Sequence, residues 1–138
     1  VRDGAVELDM VMDLGGFLGG KHASVRSDIQ AVRNAAPGCV LKVILETAYL
    51  DEEQVRAACA VAMDAGANFV KTSTGFGPGG ATVAVVRLMR ECVGPEPGVK
   101  ASGGIRDLEA ARAMLAAGAN RIGTSSTAAI LEAVGAKY

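Results

Sequence analysis

The sequence predicts an α/β fold in which helices cover a parallel sheet. Five short apolar runs, rich in β-branched residues, alternate along the 138 residues with segments of helical periodicity. A unit of Gly-Ala, two variable residues, an apolar residue and a key position recurs at residues 4–9, 66–71 and 118–123. Repeats separated by helix-length gaps are typical of βα units, and strands that alternate with helices form parallel sheets.

The strands and the first helix follow from local pattern. Strands are expected at residues 6–11, 39–46, 69–73, 98–102 and 121–125. These runs are short and apolar, as parallel strands buried on both faces are. The first helix is predicted over residues 22–36, because Val25, Ile29 and Val32 share one face at helical spacing.

The helix after the second strand has the clearest end signals. Asp51 can accept a hydrogen bond from the first turn, and Gln54, three residues later, forms a partial capping box with it. Gly66 is placed to end the helix in the left-handed conformation that glycine adopts without strain. The residues expected to be buried are Val55, Cys59 and Ala62.

Three more helices follow from similar signals. Thr82 begins one that Gly94 ends, and Asp107 begins another that Gly118 ends. A short last helix is expected over residues 127–134. The apolar positions of the first two are Val85, Val86, Met89, Val93, Leu108, Ala111, Met114 and Leu115.

Composition argues against several classes of partner. The net charge of -1 gives no electrostatic footprint for nucleic acid or for an anionic membrane. No apolar run approaches the roughly 18 residues of a membrane span. Cys39, Cys59 and Cys92 are widely spaced among apolar residues, which predicts reduced core thiols in a cytoplasmic protein. The single histidine, His22, is expected at an exposed helix start, so neither a cysteine–histidine pair nor a zinc site is predicted.

Three lysines lie within predicted strands: Lys42, Lys71 and Lys100. A buried ammonium group is unfavourable unless it is paired or neutralised, so three of them indicate a shared cavity. The repeat alignment places Asp9, Lys71 and Gly123 at equivalent positions along their strands, and Lys42 and Lys100 at the same position along theirs. These positions fall at the carboxyl ends of strands, where the loops of α/β proteins form ligand sites.

This set of residues suits chemistry that needs a neutral lysine. A reference pKa of about 10.4 leaves little free amine at neutral pH, but burial and a neighbouring cation both disfavour the ammonium form. We expect Lys71 and Lys100 to approach one another, so that one stays charged and holds the other neutral as a Schiff-base nucleophile. Asp9 would then carry protons during addition to a carbonyl group.

Two glycine-rich loops follow the last two predicted strands. Gly103 and Gly104 lead to the helix that begins at Asp107, and Gly123 and Ser125 precede the final helix. Free backbone N–H groups in such loops bind anions, and in eight-stranded βα barrels the usual phosphate site follows the last two strands. We therefore expect a phosphate site beside the lysines.

Five segments together resemble the deoxyribose-phosphate aldolase family. They are Leu8-Asp-Met-Val11, Leu41-Lys-Val-Ile-Leu-Glu-Thr47, Phe69-Val-Lys-Thr-Ser-Thr-Gly-Phe-Gly77, Gly98-Val-Lys-Ala-Ser-Gly-Gly-Ile-Arg106 and Arg121-Ile-Gly-Thr-Ser-Ser126. The resemblance spans nearly the whole chain, in order. It implies a class I aldolase on a (β/α)8 (TIM) barrel that reversibly cleaves 2-deoxy-D-ribose 5-phosphate to acetaldehyde and D-glyceraldehyde 3-phosphate, with no metal or other cofactor.

The same resemblance implies roles for individual residues. Lys71 matches the Schiff-base lysine, Lys100 the lysine that perturbs it, and Asp9 the proton-relay aspartate. The residues expected to bind the substrate phosphate are Gly75, Gly103, Gly104, Arg106, Gly123 and Ser125. Phe76 stands where some family members carry a lysine, which leaves the phosphate to backbone groups, hydroxyls and Arg106. Two further site candidates are Lys42 and Tyr138.

The chain is shorter than a complete barrel of this type, which needs about 250 residues. Its five units match strands four to eight of the family, so we expect residues 1–138 to form a single domain, a partial barrel without its N-terminal units. The substrate would be a small phosphorylated sugar, and we expect a homo-oligomer of two or more copies.

Two other functions fit the same residues. One is a non-catalytic half-barrel that binds phosphate but forms no imine. The other is a different Schiff-base aldolase, similar to transaldolase, which product analysis with several donor aldehydes would distinguish.

Overall fold

The protein, described by a computed structural model over residues 1–136, contains a five-stranded parallel sheet. Its strands lie side by side in chain order: β1 (Glu7–Val11), β2 (Val40–Ile44), β3 (Phe69–Lys71), β4 (Gly98–Ser102) and β5 (Arg121–Gly123). The predicted α/β class is confirmed. The strands expected at 39–46, 69–73 and 121–125 end two residues earlier than predicted, because the backbone there turns into the loops at the sheet's carboxyl edge.

Helices fill the gaps between the strands. They are α1 (Leu14–Leu18), α2 (His22–Ala35), α3 (Glu52–Asp64), α4 (Val83–Val93), α5 (Leu108–Ala116) and α6 (Thr127–Ala133), with a 3-10 turn at Thr47–Tyr49. The predicted helices at 22–36 and 127–134 are confirmed to within one residue. The sequence does not predict α1 or the 3-10 turn, because five and three residues are too few to show a helical period.

The predicted end signals are confirmed. Asp51 accepts a hydrogen bond from the backbone N–H of Gln54, whose side chain accepts one in return, so the capping box is complete. The side chains of Thr82 and Asp107 cap α4 and α5 by accepting a hydrogen bond from the backbone N–H of Val85 and Ala110, without the returning side-chain bond. The glycines expected at the helix ends, Gly66, Gly94 and Gly118, all have positive φ angles.

The core lies between one face of the sheet and the helices. The strands contribute Leu41, Val43, Val70, Val99 and Ala101. The helices contribute residues that include Val25, Ile29, Val55, Cys59, Val86 and Met89. Leu115 was expected in this core but is 49% exposed, because the adjacent Met114 faces the sheet and successive helical residues point about 100° apart. Cys39 and Cys59 are buried free thiols and Cys92 is half-buried, while His22 is exposed at the start of α2.

The other face of the sheet, here called the concave face, carries charged residues. The sheet curls far enough for Arg121 on β5 to donate hydrogen bonds to Glu7 on β1, at 2.5 Å from Nη1 to Oε2. The concave face therefore gathers side chains from all five strands into one space. Within residues 1–136, no helix is long and apolar enough to cross a membrane.

Candidate active site

Three lysine side chains of the concave face meet at Asp9. Its Oδ1 atom lies 3.2 Å from Nζ of Lys42, and its Oδ2 atom lies 3.3 Å from Nζ of Lys71 and 3.6 Å from Nζ of Lys100. The lysines come from β2, β3 and β4, which alternate their side chains between the helices and the concave face. The structure thus brings together the acid and the lysines that the sequence singles out.

The strand register confirms part of the expected alignment and corrects the rest. Lys71 lies opposite Lys100, and Asp9 lies opposite Lys42, as expected. The two pairs are not level with each other: Lys42 lies opposite Phe69, so Asp9 and Lys42 lie two residues nearer the start of the strands than Lys71, against the prediction. Gly123 likewise lies opposite Ser102 rather than Lys100. The repeat alignment fails here because strands of a barrel are staggered against one another, so equivalent sequence positions do not share one height.

Burial and charge shift the ionisation of this cluster. Burial opposes ionisation of Asp9, but hydrogen bonds from Lys42 and Lys71 and the charge of Lys100 outweigh it and lower the pKa of the carboxyl. The pKa of Lys100 is lowered by burial and by the neighbouring charge of Lys71, against an opposing effect of Asp9. The two lysine side chains are 12% and 18% exposed, so solvent reaches them only in part. A lysine pair of this kind disfavours two simultaneous ammonium charges.

A second ion-pair group lies on the same face, nearer the start of β1 and more open to solvent, with the side chains of Glu7 and Arg121 37% and 40% exposed. Oε2 of Glu7 accepts a hydrogen bond from Nζ of Lys42 at 2.6 Å and is also bound by Arg121. The ring of Phe69 lies beside both cations, with its centroid 5.3 Å from Lys42 Nζ and 4.8 Å from Arg121 Cζ. Hydrogen bonds from Arg121 and then Lys42 lower the pKa of Glu7 to about 2. Sequence reasoning missed Glu7 and Arg121, although Glu7 stands two residues before Asp9 and therefore shares its face.

A cavity of about 510 Å³ opens above the lysine pair at the carboxyl edge of the sheet. Its lining includes the predicted site residues Lys71, Gly75, Lys100, Gly103, Gly104, Arg106, Gly123 and Ser125. Lys42 is 2% exposed and lies beneath this cavity, in contact with Asp9. Tyr138 lies outside the described residues. Among residues 1–136, no group of three or more histidine, cysteine or acidic residues is placed to hold a metal ion.

The glycines of the cavity wall are required by backbone geometry and by space. Gly103 and Gly104 have φ angles of +93° and +78°, the left-handed region that other residues rarely adopt. A Cβ atom on Gly123 would come within 2.6 Å of Oγ of Ser102 and 3.2 Å of Cε of Lys100. Gly123 therefore leaves the room that the Lys100 side chain occupies.

Relatives of known name share most of this sequence. A family model described as DeoC/LacD family aldolase matches residues 1–133. The deoxyribose-phosphate aldolase of Thermococcus gammatolerans is 58% identical over 134 residues, covering 96% of this chain and 60% of that protein. The one from Exiguobacterium sibiricum is 53% identical over 131 residues, covering 95% of this chain and 59% of that protein. The chain thus spans about 60% of the length of these curated relatives.

Solved structures agree with the family match. An aldolase named QR15 superposes with a TM-score of 0.92 at 48% identity, over 96% of this chain and 60% of that chain. The deoxyribose phosphate aldolase of Aeropyrum pernix, described as a unique tetrameric structure, superposes with a TM-score of 0.88 at 37% identity, over 97% of this chain and 57% of that chain. The predicted barrel fold is therefore confirmed, with this chain supplying five parallel strands of it.

Proposed function

The chain belongs to the DeoC/LacD family of aldolases, and from this membership we propose that its protein reversibly cleaves 2-deoxy-D-ribose 5-phosphate to acetaldehyde and D-glyceraldehyde 3-phosphate. The observation that carries the proposal is the cluster in which Asp9 contacts Lys71 and Lys100 at the base of a glycine-lined cavity. Such a cluster supplies a nucleophilic amine, a neighbouring cation and a proton carrier in one place.

We assign the covalent step to Lys71. Its Nζ adds to C1 of the open-chain aldehyde, and loss of water gives an imine. Removal of the proton from the C3 hydroxyl breaks the C2–C3 bond, D-glyceraldehyde 3-phosphate leaves, and the electron pair of that bond forms an enamine. Protonation at C2 and hydrolysis then release acetaldehyde and restore the amine. Asp9 is assigned the proton transfers, because its Oδ2 atom lies 3.3 Å from Nζ of Lys71.

Lys100 is assigned an electrostatic role. Its ammonium group shares the Oδ2 atom of Asp9 with Lys71, so each lysine disfavours the charge of the other. Burial already lowers the pKa of Lys100, which shows that this part of the site penalises positive charge. Lys100 is therefore placed to disfavour a positive charge on its neighbour, which the nucleophile must lose before it adds to a carbonyl group.

The substrate phosphate is assigned to the far wall of the cavity. The backbone N–H groups near Gly75, Gly103, Gly104 and Gly123, the hydroxyl of Ser125 and the guanidinium of Arg106 suit a phosphate dianion. The exposed Phe76 adds no charge at the rim, so Arg106 is the cationic side chain lining this part of the cavity. The reaction as assigned draws only on groups of the protein and needs no further cofactor.

Trapping the imine tests the proposal. Borohydride reduction in the presence of acetaldehyde should add one ethyl group to the protein, and peptide mapping should place it on Lys71. Lys71→Met should take up no ethyl group, whereas Lys21→Met, at an exposed lysine before α2, should react as the unmodified protein does. Labelling at Lys100 or Lys42 would overturn the assignment. Phosphate binding without any imine would favour the non-catalytic half-barrel.

We also propose a homo-oligomeric, cytoplasmic protein made of one domain per chain. A relative of known structure is described as tetrameric, which supports assembly of like subunits. The free cysteines suit a reducing compartment. Light scattering of the purified protein should give a mass of at least two chains.

A further inference from the structure

One buried acid of the site region is not used by the proposed reaction. Glu46 follows β2 and is 7% exposed. Its φ angle of 56° makes it the only non-glycine residue with positive φ within residues 1–136. Such backbone conformations persist only where the surrounding structure holds them in place, and they cluster at functional sites. The five ion pairs of the described part of the chain do not include Glu46.

The Glu46 carboxylate is bound to a single residue of the cavity rim, Thr74. The backbone N–H of Thr74 donates to both carboxylate oxygens, at 3.1 and 3.3 Å, and its hydroxyl donates to Oε2 at 2.6 Å. Thr74 lines the cavity together with Lys71. The carboxylate therefore fixes both the backbone and the side chain of a residue beside the proposed nucleophile.

Neighbouring contacts hold the same two segments together. Residues 74–82 are here called the rim loop. A Cβ atom on Gly77 would lie 3.3 Å from Oε1 of Glu46, and one on Gly79 would lie 3.1 Å from Cβ of Ala48, so the rim loop packs closely on the turn after β2. The backbone N–H of Thr47 also donates to the carbonyl of Thr72 just before the rim loop.

These bonds determine what Thr74 can offer a ligand. A threonine hydroxyl has one proton to donate and two lone pairs. The proton is committed to Glu46, and one lone pair accepts a hydrogen bond from the backbone N–H of Phe76 at 3.1 Å. One lone pair remains, so toward the cavity the Thr74 hydroxyl can only accept.

We propose that Glu46 is a positioning residue for the substrate: it holds the rim loop and sets the Thr74 hydroxyl as an acceptor for a hydroxyl group of the sugar phosphate. This inference rests on the proposed function for the identity of the ligand. The placement of the rim loop by Glu46 rests on the contacts alone.

Glu46→Gln is the decisive variant, because it keeps the shape of the side chain and gives it an amide donor. That donor would turn the Thr74 hydroxyl around, so that its proton faces the cavity. We expect KM for 2-deoxy-D-ribose 5-phosphate to rise by up to about tenfold, the upper size of one hydrogen bond between uncharged groups, with a smaller change in kcat. Imine trapping with acetaldehyde alone should be unchanged, because acetaldehyde has no hydroxyl group. The matched control is Glu91→Gln, at an exposed glutamate of α4, which should leave KM as it is.

A double-mutant cycle separates positioning from a general loss of stability. Thr74→Val removes the hydroxyl, so adding Glu46→Gln to Thr74→Val should raise KM much less than Glu46→Gln does alone. Additive effects on KM in the double variant would overturn the proposal, as would an unchanged KM in Glu46→Gln.

Hydrogen exchange tests the rim loop without relying on activity. The amides of residues 74–82 should exchange faster in Glu46→Gln than in the unmodified protein or in Glu91→Gln, while the amides of α3 and α4 keep their protection. Unchanged exchange in the rim loop would overturn the role of Glu46 even if the aldolase assay succeeds. Conversely, faster exchange in a protein that cleaves no deoxyribose phosphate, even with the part of the Thermococcus gammatolerans relative that this chain does not span added to it, would uphold that role and reject the proposed function.

Discussion

The concave face gathers basic side chains around two carboxylates, Glu7 and Asp9. The basic residues are Lys42, Lys71, Lys100 and Arg121. Positive groups therefore outnumber negative ones in a half-buried space, and this surplus makes any further ammonium charge unfavourable. It also favours anionic ligands, which agrees with a phosphorylated substrate. In the proposed function, the same residues both activate an amine and attract its substrate.

Removing the cation of Lys100 should move the pH dependence of the reaction. In Lys100→Leu, the ammonium form of Lys71 loses a repulsive neighbour, so more alkaline conditions are needed to free the amine. The pH–rate profile should shift upward, and turnover at neutral pH should fall about tenfold for each unit of that shift. Profiles of kcat against pH for the unmodified protein, Lys100→Leu and the control Lys21→Leu measure this. A profile that stays in place in Lys100→Leu would mean that the two lysines act independently.

Single residues differ in how well the sequence reveals them. Lys71 and Lys100 stand out because a charge inside an apolar strand needs an explanation. Glu7 and Arg121 do not stand out, because a charged residue at the start of a strand is usually exposed to solvent. Glu46 is equally hidden, since its role depends on a positive φ angle and on Thr74, which is distant in sequence.

Among the elements, the loops after β4 and β5 form one continuous wall of the cavity. The carbonyl of Gly103 accepts a hydrogen bond from the backbone N–H of Ala81, which ties the loop after β4 to the end of the rim loop. The hydroxyl of Thr124 donates to the carbonyl of Ile105 at 2.6 Å, which ties it to the loop after β5. These bonds hold the loops of the wall in a fixed arrangement, as an anion site built from backbone N–H groups requires.

A carboxylate placed in this wall should repel the substrate phosphate and weaken its binding. No atom lies within 4 Å of a Cβ built on Gly104, so a side chain there meets open space. Gly104→Asp should raise KM for 2-deoxy-D-ribose 5-phosphate about tenfold or more, and KM for unphosphorylated 2-deoxy-D-ribose far less. Gly104→Asn is the matched control, because asparagine and aspartate adopt positive φ about equally well but only aspartate is charged. Equal effects of Gly104→Asp on both substrates would assign the loop a purely structural role.

The ends of helices were predicted more accurately than the alignment of residues between neighbouring strands, for a physical reason. A capping box or a terminal glycine is a local feature, so Asp51 and Gly66 reveal α3 from the sequence alone. Which residues lie opposite Lys42 on the neighbouring strands depends on hydrogen bonds between strands that are far apart in the chain. The stagger that sets those bonds comes from the tilt of the strands in a barrel, which no local pattern records.

In the molecule as a whole, Glu7 joins the first strand to the last through Arg121. The folded state lowers the pKa of Glu7 from 4.5 to about 2, so its ionised form stabilises the fold. This contribution is complete above about pH 4.5 and is lost as pH falls through about 2. Glu7→Gln should therefore lower the midpoint of thermal unfolding at pH 7, and the difference from the unmodified protein should shrink as the pH approaches 2.

Thermal unfolding followed by circular dichroism between pH 7 and 2 measures this difference. Asp9 is present in both proteins and its pKa is also lowered, so its own loss of stabilisation in acid cancels in the comparison. Glu91→Gln serves as the control and should match the unmodified protein throughout. A difference between Glu7→Gln and the unmodified protein that persists unchanged into acid would show that the ion pair with Arg121 does not stabilise the fold.

Within residues 1–136 the sheet does not close into a barrel, which should affect the 138-residue chain when it is made on its own, here called the bare chain. Strands β1 and β5 are the outer strands of the sheet in the described part of the chain, and Val11 of β1 is 49% exposed. Unpaired strand edges invite pairing with other chains. Water that reaches an open concave face would also weaken the interaction of Lys71 with Lys100. We therefore expect the bare chain to self-associate and to show much less aldolase activity than its full-length relatives.

The register of β1 provides a matched test of self-association through the edge. The carbonyl of Val6 and the N–H of Met12 both bond to β2, so in a parallel ladder the N–H of Val11 points to the open side. Val11→Pro removes that donor without breaking a bond to β2 and should shift the 138-residue chain toward monomer in sedimentation.

A second experiment restores the rest of the barrel. Adding the part of the Thermococcus gammatolerans relative that this chain does not span should raise retro-aldol activity at least about tenfold, because closing the concave face excludes water from the lysine pair. A monomeric bare chain with full activity would contradict the expectation, because it would show that five strands suffice for the site.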